Sequence, residues 1–327
     1  MSQSTTTRET KGLENPDMIG SLAVLIATAC WGTSGLFVKL ILANQEVSAL
    51  ALAFWRDVST FLVLFIGLRL MRPSWLTVER KDTLWLVGLG ASIGVFHIFW
   101  NLAVFLNGAA VATVQQAAMP AIVAIVAWLI WDEPLSARKI LAIALTFVGT
   151  VLVSGVSVLG EADLTVFGFL VGLGTPITYA SWNLFIKKIR DGYNPFTTLT
   201  YGFGFGALVL LPIQFFTPQP QGVPPSTLLY FIGLIIIATI VGFSIYTFAL
   251  GRLQASVASI LAMAEIPIVA VYAYVLLGER MSIDQVIGAV LVVAGVLMLS
   301  RRRKKRIRPT EREHPEGYYN TVVEHEP

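Results

Sequence analysis

Apolar residues run along this chain in segments of about twenty, separated by polar connections that are mostly only a few residues long. A helix that crosses a bilayer needs roughly 20 mostly apolar residues, at 1.5 Å rise across a ~30 Å hydrocarbon core. Segments of that kind fall near 18–43, 47–71, 83–106, 108–131, 137–158, 165–186, 195–217, 226–250, 253–277 and 283–300. The pattern predicts an all-α integral membrane protein with ten transmembrane helices. Residues 1–17 and 302–327 are polar tails, and the connections leave no room for a soluble catalytic domain.

Composition agrees with the pattern. Of the 327 residues, 55% are hydrophobic and 13% charged, against about 25% charged in an ordinary soluble domain. Charge this sparse cannot cover a globule in water, but it can cap a lipid slab on both faces. A signal peptide is the first alternative to set aside. Ala27-Thr28-Ala29-Cys30 faintly resembles a cleavage site, yet the apolar run continues past it to about Leu42, longer than a signal core of 7–15 residues. The single cysteine, Cys30, excludes an internal disulfide.

The net charge of +3 conceals an asymmetry, since seven of the eight residues Arg301–Arg308 are basic. With the N-terminus inside, 20 of the 23 Lys and Arg residues fall on the cytoplasmic side. Lys39 and Arg280 fall near the outer side, and Arg56 lies within a span. Positively charged connections stay cytoplasmic, so both termini are expected there, in a cell membrane. The basic tail reads as an anchor on anionic lipid heads, tethered too close to the bilayer to serve as a nucleic-acid site.

Residues 100–154 align without a gap on residues 246–300, with thirteen identities that include Ala109/Ala255, Glu133/Glu279, Ser136/Ser282 and Gly149/Gly295. Residues 18–158 and 165–301 therefore read as two tandem repeats. Each has five spans, an odd number, so the second copy is expected upside down relative to the first, a recurring architecture of secondary transporters.

Several motifs carry a further likeness. Trp31-Gly32 is followed by Lys39, and Phe54-Trp55-Arg56 lies in span two. Paired segments end Trp131-Asp132-Glu133-Pro134-Leu135-Ser136 and Leu277-Gly278-Glu279-Arg280-Met281-Ser282, and Gly149 and Gly295 sit late in the two terminal helices. With these the chain resembles the EamA family of the drug/metabolite transporter superfamily over about residues 18–301. The resemblance implies an exporter of amino acids, metabolites or toxic compounds. One departure concerns the second repeat, where the family often has Glu-Pro together and Ile266 here separates Glu265 from Pro267.

An ionisable group deep in a span costs roughly 2.5–3.5 kcal/mol on insertion scales, so it tends to face a wet cavity or a partner. Arg56, Asp57, His97 and Glu265 are such groups. Arg56 shares a helix face with Ala49, Ala53 and Thr60, a small and polar stripe, whereas Asp57 shares one with Leu50, Phe54 and Phe61. Glu265 follows Ala255, Ala258 and Ala262, and its counterpart stripe in span four favours Gln116 over Gln115 as the inward residue. His97 and Asn101 follow Gly90 and Gly94, Tyr179 and Asn183 follow Gly172 and Pro176, and Trp31 lies between Thr28 and Gly35. The candidate substrate-binding residues are thus Trp31, Arg56, His97, Asn101, Gln116, Tyr179, Asn183 and Glu265. Each has a plainer alternative, because small stripes also serve close helix packing and single amides also tie helices together. Pro120, Pro176, Pro212 and Pro267 are expected to bend their spans.

The chain has no phosphate-cradling loop, no cluster of His, Cys and carboxylates at metal-ligand spacing, and a single histidine within the spans. No cofactor is expected. The reading is a secondary carrier, not an enzyme. Arg56 would hold an anionic group of a small-molecule substrate, and Glu265 would face a cationic group or carry a coupling proton. Rival readings are a carrier of larger anions such as sugar nucleotides or phosphorylated sugars, and a membrane scaffold or intramembrane enzyme.

Overall fold

The computed structural model of the chain describes residues 17–42, 47–155, 165–278 and 281–300. The two tails, residues 43–46, the connection 156–164, and Glu279 and Arg280 lie outside the described residues. Among those described the secondary structure is helical throughout.

The first repeat contains α1 (Met18–Leu42), α2 (Ala49–Met71), α3 (Thr83–Gln116), α4 (Met119–Trp131) and α5 (Ala137–Val153). The second contains α6 (Val166–Ile189), α7 (Pro195–Gln214) and α8 (Pro225–Gly233). It continues through a π-helical turn (Leu234–Val241) into α9 (Gly242–Leu250), α10 (Ala255–Ala262), α11 (Glu265–Leu277) and α12 (Ile283–Ser300). Helix starts follow local chemistry. Ser48, Ser136, Thr165 and Asn194 each accept a hydrogen bond from a backbone N–H three residues on, with N···O distances of 3.0–3.3 Å.

Nine segments among the described residues are long and apolar enough to cross a membrane. The segment expected at 137–158 is not one of them, because α5 is only 17 residues long. The connection expected near residue 107 falls between two candidate spans, Arg80–Asn107 and Val111–Trp131, although helical structure runs through it. The helix α3 continues to Gln116, and the interruption comes at Ala117–Ala118. The Asn107 amide donates to Gln115 Oε1 at 3.1 Å and to Gly168 O at 2.8 Å. Eight residues of straight helix span about 12 Å, so the first of these bonds closes only where the path folds back. The fold-back separates the two candidate spans, and α3 supplies nearly all of the first and the start of the second.

The 146-residue offset of the repeats recurs in the backbone. The break at Ala117–Ala118 has its equivalent at Met263–Ala264, and Asp132 and Gly278 end α4 and α11 in the left-handed region, at φ 53° and 68°. Pro120 and Pro267 sit in the first turn after each break. Pro176 and Pro212 lie inside helices that continue through them.

Packing joins the repeats. The helix α3 lies along α6 and α7, and α1 along α9, the π turn and α11. In addition α4 meets α6 and α10, α2 meets α7, and α5 meets α12. At the last contact a Cβ on Gly149 would lie 2.7 Å from Gly288 O, and one on Gly295 would lie 3.0 Å from Ala142 O. Only glycine allows backbones this close.

One end of the bundle is tied shut. Tyr193 donates to Asp82 Oδ2 at 2.8 Å, Thr197 Oγ1 to Trp75 O at 2.7 Å, and Lys187 Nζ to Leu250 O and Leu253 O at 2.9 and 2.7 Å. Arg252 pairs with Asp17, the residue that opens α1, and this hydrogen bond holds the Asp17 carboxyl below the usual carboxylate range. At the other end lie the start of α2, the end of α5 and the start of α12. That end contains the cavity described next.

Candidate functional site

A cavity of about 690 Å³ lies between the two repeats. Its lining runs from Ser154, Met281 and Gln285 at the helix ends down to Trp31, Tyr179 and Phe243 in the bundle interior. Every span of the first repeat contributes to it, and so do α6, the π turn, α11 and α12. The interrupted spans bring Gln116 and Ala117 to the wall from one break, and Met263 and Glu265 from the other.

The floor is aromatic. Trp31 lies 4.8 Å from Tyr246 and 5.0 Å from Phe243 between ring centroids, and Trp182 stacks on Tyr246 at 5.8 Å with the planes 11° apart. Phe96 meets Tyr179 at 4.8 Å, and Tyr179 stacks on Trp182 at 5.6 Å. Aromatic pairs of this kind add about 0.5–1.5 kcal/mol each beyond area burial. The slab they form, drawn from α1, α3, α6 and α9, separates the cavity from the tied end.

Seven of the eight sequence candidates line the cavity: Trp31, Arg56, His97, Asn101, Gln116, Tyr179 and Glu265. Asn183 does not. It is fully buried behind the floor, where its side-chain oxygen accepts a hydrogen bond from the Tyr246 hydroxyl and its amide donates to Tyr179 O at 2.9 Å. Gln116 faces the cavity, while Gln115 turns away to donate to Phe169 O at 3.3 Å. Asn101 lies on the wall with its amide bonded back to His97 O at 2.6 Å.

The charged wall holds three groups. Arg56 Nη2 is hydrogen-bonded to His97 Nε2, and its Nε lies 3.6 Å from Asp57 Oδ1. His97 Nδ1 lies 3.3 Å from Asp57 Oδ2. Arg56 retains 16% of its side-chain exposure, His97 5% and Asp57 none. The arginine thus presents to the cavity, and the carboxylate is sealed behind it.

Glu265 stands on the α11 wall, within electrostatic reach of Tyr179, and makes no hydrogen bond or ion pair among the described residues. Arg56 is the one Lys or Arg among the described residues of the lining. The site therefore offers one fixed cation, one unpaired carboxyl and aromatic surface, and the described residues hold no cluster of three or more His, Cys, Asp or Glu that could bind a metal.

The sequence profile of the EamA-like transporter family matches residues 18–155 and 166–301. The chain belongs to that family. This EamA chain is 27% identical to the uncharacterized inner membrane transporter YicL of Salmonella typhimurium, over 88% of its own length and 97% of that protein. It is 26% identical to a probable amino-acid metabolite efflux pump of the same organism, covering 85% and 93% of the two chains. An uncharacterized transporter of Archaeoglobus fulgidus is 26% identical over 86% of this chain and 96% of that one. A protein of known crystal structure shares the fold, with a TM-score of 0.74 at 18% identity over 85% of this chain and 95% of the other.

Several features of this EamA site escape a reading of helix faces. Asp57 points from a bulky apolar stripe, yet the long Arg56 side chain folds back to it across the ~100° between neighbours. Trp182 and Phe243 belong to neither of the stripes that single out Tyr179 and Asn183 or Glu265. The π turn, where Thr239 Oγ1 donates five residues back to Leu234 O at 2.8 Å, contributes Leu234, Ala238 and Thr239 to the wall. A threonine two residues after the β-branched run Ile235-Ile236-Ile237 is its only sequence hint.

Proposed function

We propose that this EamA protein is a secondary carrier that exports small organic metabolites bearing a carboxylate, amino acids foremost, by alternating access through the cavity between its two repeats. The observation that carries the reading is the cavity's polarity, with Arg56 on one wall, Glu265 on another and an aromatic floor below. An α-carboxylate suits the guanidinium, and an ammonium suits the free carboxyl, which in the absence of substrate can take a coupling proton instead. The similarity to a probable amino-acid metabolite efflux pump supports the same substrate class. A sugar nucleotide, with two phosphates to neutralise, is poorly matched by one arginine.

Ten spans in inverted repeats are part of the proposal, with α5 as the tenth. The packing supports it, because exchanging the repeats maps the α3–α6 contact onto α1–α9 and α4–α6 onto α1–α11, and leaves α5–α12 and α2–α7 paired with themselves. Matching breaks and helix ends at the 146-residue offset support it as well. The tied end carries most of the basic residues and is assigned to the cytoplasm, so the cavity faces outward.

The test is counterflow in proteoliposomes preloaded with amino acids, one at a time. Uptake of labelled solute by the wild type, lost in Arg56→Ala, is the expected result. Absence of flux for every amino acid and metabolite tested would return the protein to the scaffold or enzyme readings.

A further inference from the structure

Behind Arg56 lies a group that the carboxylate reading leaves idle. Asp57 is fully buried, and neither of its oxygens accepts a hydrogen bond of normal geometry. Only His97 Nδ1, at 3.3 Å, and Arg56 Nε, at 3.6 Å, face it. The Arg56 Nε is itself buried without a hydrogen-bond partner. On the far side α7 packs so closely that a Cβ on Gly206 would lie 3.1 Å from Asp57 Oδ2, and α7 carries no charged residue between Pro195 and Gln214. The other titratable groups of the lining are Glu265 and Tyr179. A buried carboxylate needs a counter-charge, and here Arg56 supplies it with His97 between them.

The imidazole has one nitrogen toward each partner. In the neutral tautomer with its proton on Nδ1, the ring turns that N–H toward Asp57, 3.3 Å away, and Nε2 accepts from Arg56, a tautomer assigned from which group faces each nitrogen. We propose that His97 and Asp57 form a proton site linked to the anion site at Arg56, so that a substrate carboxylate and a proton bind together. A carboxylate in the cavity draws the guanidinium away from Asp57 and from His97 Nε2. That nitrogen is then free to take a proton, and the resulting imidazolium replaces arginine as the counter-charge of Asp57. Conversely, a proton on the pair releases Arg56 toward the cavity. One anion and one proton enter as a neutral sum, which suits a site walled by aromatic rings. Coupling of this kind is reciprocal by thermodynamic necessity.

This inference rests on the reading of Arg56 as the carboxylate site, and the test separates the two. The probe is benzoate, an aromatic carboxylate without an amine, so that Glu265 has no cation to bind. Its affinity for the purified carrier in nanodiscs is measured by calorimetry from pH 5 to pH 9. With one linked proton, Kd should rise about tenfold per pH unit above the midpoint of the linkage. His97→Gln and Asp57→Asn should bind benzoate with a flat pH profile, the latter more tightly than the wild type at pH 8, because Arg56 is no longer held back. Arg56→Ala should not bind. If benzoate binding survives Arg56→Ala, or the wild type binds none at any pH, the carboxylate reading falls and the linkage with it. If binding needs Arg56 but the wild-type profile is flat, or the slope persists in both His97→Gln and Asp57→Asn, the linkage is overturned while the carboxylate site stands. Glu265→Gln removes the other carboxyl of the lining, so the slope should persist in that variant, and its loss there would overturn the linkage even where His97→Gln or Asp57→Asn fails to fold.

Discussion

At the tied end Glu133 connects the repeats through one carboxylate, and its removal should open that end. Glu133 follows α4 in the first repeat and accepts hydrogen bonds from the N–H groups of Ala255 and Ser256, at 2.7 and 3.2 Å, and from the Ser256 hydroxyl. Those N–H groups begin α10 in the second repeat, so the carboxylate also sits against the positive end of a helix. Lys139 Nζ lies 3.7 Å from Glu133 and donates to Ser256 Oγ at 2.6 Å. Glu133 is 7% exposed and Lys139 4%. Breaking a buried pair by removing one partner costs about 3–5 kcal/mol. Part of that cost returns when the end opens and water reaches Lys139, so a shift of about 3 kcal/mol between closed and open forms is a fair expectation for Glu133→Ala. At 1.4 kcal/mol per tenfold, the closed-to-open ratio should fall about 100-fold. With Cys30 replaced by serine, a single cysteine at Ser259, one turn into α10 and fully buried, reports the opening. Its labelling by a membrane-impermeant maleimide in inside-out vesicles should accelerate by about that factor in Glu133→Ala. A folded variant with an unchanged labelling rate would refute the assignment of Glu133 as the clamp.

Other predictions follow from the same geometry. Arg56→Ala should abolish transport and lower the melting temperature by less than a broken buried pair would, because a proton on His97 can replace the arginine as the counter-charge of Asp57; flux and melting in detergent measure both, and failure to insert would mark the arginine as structural. Glu265→Gln should keep counterflow but lose accumulation driven by a pH gradient, and an unchanged pH dependence would end its coupling role. Gly149→Val should push α5 from α12, since even a Cβ would lie 2.7 Å from Gly288 O. Overpacking of this kind costs about 1–3 kcal/mol, readable as a lower melting temperature. Reporter fusions to the C-terminal tail should report the cytoplasm, whereas an external tail would reverse the orientation proposed for the cavity.

Much of this architecture is legible in the sequence because two strong signals coincide there. Apolar runs fix where helices lie, and the ungapped 146-residue offset predicts that they pair, down to the matched helix ends at Asp132 and Gly278. Small-residue stripes placed Arg56, Gln116 and Glu265 on the cavity side for a sound reason, since a face without bulk is where space remains. The same reasoning passed over Asp57 and misplaced Asn183. Helical periodicity gives the direction of a Cβ, not the position of the tip of a long side chain, and it carries no information about partners such as His97, forty residues from Asp57. Asn183 shares the Tyr179 face but lies one turn deeper, where the Tyr246 hydroxyl claims it. Glu133 was visible as half of a repeated pair, and its task became evident only once α10 stood opposite.

The two interrupted spans bear on how such a molecule could move. At Ala118 and at Met263–Ala264 bonds to the third residue back replace those to the fourth, Ala118 N to Gln115 O at 3.2 Å and Ala264 N to Leu261 O at 3.1 Å, while Ala117 N is shared between Thr113 O and Val114 O. Pro120 and Pro267 have no N–H to restore the regular pattern. A joint whose ladder is already thinned costs few hydrogen bonds to swing, so tilting α4 or α11 about it draws mostly on torsion. The 13-residue arms beyond the joints, about 20 Å each, are long levers on short pivots. A rotation of 10° there would carry the far tip roughly 3 Å, comparable to the width of a water molecule. The molecule therefore has a way to change access at one end while its clamped α10 stays seated at the other.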